Sequence, residues 1–233
     1  ITTAQAQALT VTQAQALGTA QVAALETVDF ASISTQSLAA LGTAQIVAIT
    51  TAQAQSLTTR QAVALSADQL VALETRDFAA ISTASVAALL TAQVFSLTTA
   101  QVIALSTAQA QSLTTAQVFG LDAASQIAAL ETVDFAALST ASIAALAPAQ
   151  VVAITTAQAQ ALTSPQAQAL GTAQVQALET VDFAAISTTS LAALLTAQVA
   201  SLTTDEIVAL TTAQAQALTT AQAVALGTAQ VAA

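Results

Sequence analysis

The chain has no cysteine, histidine, methionine, tryptophan, tyrosine, asparagine or lysine, and its only basic side chains are Arg60 and Arg76. Without histidine or cysteine there is no imidazole base, no thiolate nucleophile and no soft-metal ligand set. Ordinary enzyme chemistry is therefore not expected. Two arginines make no basic patch, and a net charge of -10 repels phosphates, so nucleic acid is not an expected partner. The absence of cysteine suits an extracellular or cell-surface protein. Without asparagine N-linked glycosylation is impossible, whereas O-linked modification of threonine stays open.

Long apolar runs are missing too. The chain is 55% hydrophobic and 6% charged, but Thr, Gln or Ser interrupts it every few residues. No run approaches the roughly 18 residues of a membrane span, and no signal peptide is visible. No membrane insertion is expected.

What is present is a repeat. Cutting after Leu or Ile at one phase yields TTAQAQAL, TVTQAQAL, GTAQVAAL, ETVDFASI and so on, from Thr2 to the last residue. A single continuous domain over residues 1–233 results, with 233/8 or about 29 units and one nine-residue unit at 122–130. Position 8 is Leu or Ile in each complete unit, position 7 Ala, Ser or Gly, position 4 mainly Gln, position 2 mainly Thr, and position 1 mainly Thr, Ser, Gly or an acid. Ile1 has the identity of a position 8 and Ala233 falls inside a unit, as expected for an interior piece of a longer array.

Eight residues at about 100° each overshoot two helical turns by about 80°, so one continuous α-helix would wind its leucines around all sides. The helix must break in each unit. Thr or Ser at position 1 with Gln at position 4 is a capping box, and Pro148 and Pro165 fall where a first helical turn tolerates proline. Helices this short require neighbours to stack on. The fold class expected is an all-α solenoid with one very short helix per octad, the alternative being a β-solenoid.

The expected core is position 8 and position 5: Leu9, Leu25, Phe30, Leu73, Phe78, Leu130, Phe135, Leu178 and Phe183. Small residues at position 7 would let backbones approach closely. Phe95 and Phe119, at position 6 beside the expected buried face, would pack in the core or at its rim, or make a surface contact.

Eight of the twelve acids sit in four related units, as Glu26 with Asp29, Glu74 with Asp77, Glu131 with Asp134, and Glu179 with Asp182. The architectural reading places them in first helical turns, with Asp replacing the capping Gln and the helix dipole favouring the charge. The alternative makes them hard oxygen ligands for Ca²⁺; paired catalytic carboxylates are a third reading. No other cofactor is implied. Glu26 and Glu74, and again Glu131 and Glu179, stand six octads apart, either because six octads close a turn and stack them, or because a block was duplicated among equivalent octads. The second reading is preferred, since inserting the nine-residue unit would break every such ladder beyond it.

The octads TTAQVIAL, STAQAQSL and GTAQVQAL resemble the T-A-Q-rich octapeptide tracts of very large bacterial surface or secreted proteins, often described as adhesin-like or haemagglutinin-like. The resemblance implies an extracellular, non-enzymatic, length-providing segment. Together these observations lead us to expect a structural repeat protein of a stalk, sheath or filament that self-associates end to end or laterally. The alternative is an adhesive, ice-binding or polysaccharide-binding surface built on the threonine rows.

Overall fold

The computed structural model describes residues 1–233. It contains 28 α-helices, one π-helix and no strand, so the all-α expectation holds and the β-solenoid does not form. No helix is long and apolar enough to cross a membrane. The chain divides into two compact units, Ile1–Gly120 and Leu121–Ala233.

Each octad makes one helix of four to six residues, as in Thr172–Val175 and Thr51–Ser56. The break is made by two consecutive extended residues. Leu17 (φ -65°, ψ 132°) ends one helix and Gly18 (φ -72°, ψ 155°) starts the next. Position 1 is the N-cap. At Thr50, for example, the hydroxyl accepts from the Gln53 amide while the Thr50 amide donates to the Gln53 side-chain carbonyl, satisfying two donors that the helix leaves free. Pro148 and Pro165 occupy the first two helical positions, where an absent N–H costs nothing.

In both units each helix packs on helices three octads away: Thr75–Ala80 on Thr51–Ser56 in the first, Thr180–Ala185 on Thr156–Ala161 in the second. The packed helices are three octads apart, while a recurrent side-chain bond joins position 4 of one octad to position 8 of the fourth octad before it, 28 residues earlier, so a turn takes between three and four octads. Six octads therefore do not close a turn, and the acidic helices do not stack on one another. This favours the reading in which octads are structurally equivalent.

The stacking also supplies a physical reason for the six-octad period. With partners three octads apart, such a period alternates two kinds of helix in one stack. The Phe30 and Phe78 helices both pack on Thr51–Ser56, whose position 5 is the buried Ala54; Phe135 and Phe183 likewise flank the helix of Ala159. In this stack large and small residues alternate along the core, which fills it evenly, whereas the stack of Ile46, Leu70 and Val94 is aliphatic throughout.

Of the expected core residues, Phe30, Leu73, Phe78, Leu130, Phe135, Leu178 and Phe183 are enclosed. Leu9 and Leu25 are half-buried, being covered only by the turn that follows them. The nine-residue unit absorbs its extra residue as a π-turn, Ala123–Ile127, in which the Ile127 amide reaches Asp122 O at 2.9 Å. Ile127 and Leu130 keep their places in the core of the second unit.

Candidate functional site: a glutamine ladder and four buried aspartates

The most repeated polar constellation is one that capping logic anticipates only in part. The position-4 glutamine caps its own helix through Oε1, and beyond the first turn it is buried and its Nε2 reaches back to carbonyls of the preceding turn. Gln53 Nε2 donates to Val22 O and Leu25 O, both at 2.8 Å; Gln117 Nε2 donates to Val86 O (2.9 Å) and Leu89 O (2.8 Å). In the second unit Gln158 Nε2 donates to Ile127 O and Leu130 O, both at 2.8 Å. The accepting carbonyls lie at helix C-termini, where acceptors outnumber backbone donors: those at position 5 already take the position-8 amide of their own octad, as Val22 O takes that of Leu25, and the glutamine adds a second donor. One side chain thus completes the start of its own helix and the end of an earlier one. Gln5, Gln13 and Gln21, in the first turn, are exposed.

Serine keeps the rung with a shorter arm in the S-T-x-S octads. Ser37 Oγ donates to Leu9 O at 2.6 Å and Ser190 Oγ to Leu162 O at 2.7 Å, each across 28 residues.

The acidic octads depart from the capping expectation. Their N-caps Glu26, Glu74, Glu131 and Glu179 make no side-chain cap and are exposed, while Asp29, Asp77, Asp134 and Asp182 are buried. Asp does not replace the capping Gln, because its side chain is one methylene too short to turn back to the N-cap amide. Instead Asp29 Oδ1 accepts from Thr3 Oγ1 (2.7 Å) and Asp182 Oδ1 from Thr156 Oγ1 (2.6 Å); Thr51 and Asp77 are paired in the same way. Arg76 lies outside, 3.0 Å from Glu74 and 3.4 Å from Asp77. Asp134 differs. Its octad is the one that directly follows the nine-residue unit, and both of its buried carboxylate oxygens are without a hydrogen bond.

The eight candidate calcium ligands are therefore split between exposed glutamates and buried aspartates. No group of three or more acidic side chains converges in a way that could hold a metal ion. An open depression lined by Thr35, Thr59, Arg60, Val63 and Ala64 contains one ionisable group and no nucleophile with a base beside it.

Asp122, N-cap of the π-turn, accepts from the hydroxyl and amide of Ser125. These bonds, the hydroxyl first, hold its carboxyl below the ordinary aspartate value.

Phe95 and Phe119 are 60% and 58% exposed. They lie on the surface, as the surface-contact alternative has it, and not in the core or at its rim. With Val47 and Val71 they recur in every third octad, at position 6 of successively packed helices, making an apolar ridge on the first unit.

Comparison with known families gives a match. The family model described as the ALTTAQ repeat matches residues 22–59, 70–107, 127–164 and 175–212, more than half of the chain. The four matches keep step with the acidic octads, each beginning just before Glu26, Glu74, Glu131 or Glu179. Comparison with curated proteins found no match.

Proposed function

The chain belongs to the ALTTAQ repeat family, and from that premise we propose that it is a length-providing structural segment of a stalk, sheath or filament in an extracellular assembly, without catalytic activity. The observation that carries this reading is the direction of the glutamine ladder. Its rungs point from an octad to the turn before it, so each added turn finds carbonyl acceptors waiting and presents new ones. A rule of this kind has no built-in stop, and it suits open-ended growth by repetition. The scarcity of Lys and Arg leaves trypsin-like proteases two cleavage residues, which suits exposure outside a cell. End-to-end or lateral association of copies belongs to the same reading, and nucleic acid does not. Electron microscopy of the purified chain over a range of concentrations tests it. Stiff rods or fibres of uniform width are expected, and compact particles at all concentrations would contradict it.

A second reading, an adhesive, ice-binding or polysaccharide-binding surface, is favoured by the Val47, Val71, Phe95 and Phe119 ridge and by exposed position-2 threonines such as Thr43 and Thr99. It predicts retention on insoluble polysaccharide or shaping of ice crystals, lost on Phe95→Ser with Phe119→Ser for the first and on Thr→Ala changes for the second.

A further inference from the structure

Glu206 occupies the ladder position of the octad Thr203–Leu210 and is the one position-4 glutamate in the chain. Its Oε2 does what glutamine Oε1 does elsewhere, accepting from the Thr203 amide (2.6 Å) and hydroxyl (2.8 Å). The residue is 2% exposed, and its Oε1 is buried with no hydrogen-bond partner.

The flanking octads show what the second polar atom of a position-4 side chain meets. Gln198 Nε2 donates to Ala167 O (2.8 Å) and Leu170 O (2.6 Å), 31 and 28 residues earlier; Gln214 Nε2 donates to Ala184 O (2.9 Å) and Ile186 O (2.8 Å), 30 and 28 residues earlier. The same offsets from Glu206 lead to the carbonyls of Val175 and Leu178. An ionised carboxylate brings a third acceptor to two acceptors, with no hydrogen between them. A neutral carboxylic acid has the shape of the amide and one O–H to give.

We propose that Glu206 is a proton-operated rung of the ladder. Carrying a proton taken from solvent on Oε1, it donates to the Val175–Leu178 carbonyl pair and fastens its octad to the turn below. Releasing that proton to solvent opens the rung, and the repulsion between carboxylate and carbonyl oxygens loosens the octad. No bond between heavy atoms changes. The second unit contains no lysine, arginine or histidine to offset the charge. On the helices packed against Thr204–Ala209, Thr180–Ala185 brings Asp182, already engaged by Thr156, with exposed Glu179 before it, and Thr228–Ala232 brings no ionisable side chain. Asp205, on the same helix, is exposed.

The test is amide hydrogen exchange of residues 206–210 in the full chain and in Glu206→Gln, each at about pH 4 and about pH 7.5. Glu206→Gln installs the residue that the ladder carries in most octads, so the variant folds, and Asp205→Asn controls for charge alone. Several-fold slower exchange in Glu206→Gln than in the wild type is expected at the higher pH, narrowing to near equality at the lower, with Asp205→Asn like the wild type at both. A ratio that does not change with pH, or no slowing at the higher pH, overturns the proposal. So does slowing of the wild type, but not of Glu206→Gln, by added Ca²⁺ at the higher pH, which would assign the slot to a cation.

Discussion

The side-chain amide of Gln101 donates to the backbone carbonyl of Leu70, 31 residues earlier in the chain, at 2.7 Å, and to that of Leu73 at 3.2 Å. Its own carbonyl meanwhile accepts from the Thr98 amide at 3.0 Å. Gln101→Glu preserves the cap and the volume but replaces the donor with an acceptor. Leaving buried acceptors opposed in this way is expected to cost about 1 to 3 kcal/mol at neutral pH. Chemical denaturation of the two chains measures it, and equal midpoints would show that the rung carries no stability.

Thr156 and Asp182 form the threonine–aspartate pair of the second unit. Thr156→Val keeps the shape and removes the hydroxyl hydrogen given to Asp182 Oδ1, weakening the solvation of a buried carboxylate; a loss of about 1 to 3 kcal/mol is expected. Asp134, whose oxygens have no partner at the outset, responds in the opposite sense. Asp134→Ser, which copies the serine rungs, is expected to leave the midpoint unchanged or raise it. Both effects are read from thermal unfolding, and a stabilising Thr156→Val would refute the pairing.

Ala159 occupies position 5 of the helix between those of Phe135 and Phe183. Ala159→Phe breaks the alternation of large and small residues and overpacks the stack, with an expected cost of about 1 to 3 kcal/mol or more. Val22→Ala, at the same octad position, instead loses about 1 kcal/mol or more from two missing methyl groups. Denaturant midpoints of the two variants separate crowding from cavity formation, and a neutral Ala159→Phe would show that the six-octad period does not arise from core filling.

Acid acts on the π-turn through Asp122, whose carboxyl is held below its ordinary value by the Ser125 hydroxyl and amide. A depressed folded-state value means that the ionised form contributes stability above the unfolded value. That contribution is lost as pH falls through the folded one, so the window lies below about pH 4. Asp122→Asn removes this dependence. Its stability deficit relative to the wild type is expected to shrink as pH drops through that window, measured by unfolding at a series of acid pH values. A deficit that grew in acid would reverse the sign assigned here.

Much of this architecture is legible in the octad itself. The mismatch between eight residues and the helical repeat demands a break, Thr or Ser with Gln three residues on marks where the helix restarts, and Leu or Ile at position 8 marks the core. The second role of glutamine is not legible from capping logic, because Glu serves a capping box as well as Gln does. The available signal is that position 4 carries Gln in most octads and Glu only at 206, a bias that a cap alone does not require but a donor does. The number of octads per turn lies in the two extended residues at each break, such as Leu17 and Gly18, whose dihedrals no residue type at positions 8 and 1 specifies closely. For the same reason the buried state of Asp29, Asp77, Asp134 and Asp182 is hidden: it depends on which octad lies across the turn.

The spacing between turns is tested most directly by cysteine crosslinking, for which a chain without native cysteine is well suited. Gly120 stands so close to the turn before it that a Cβ there would run into Thr91 Cγ2. The pair Thr91→Cys with Gly120→Cys is therefore placed for a disulfide, whereas Thr43→Cys with Thr91→Cys, a full six octads apart, is not. With a turn of between three and four octads, mild oxidation closes the first pair rapidly within one chain and leaves the second pair as free thiols. Rapid closure of the second pair and not the first would mean that six octads complete a turn, and the ladder described here would be wrong.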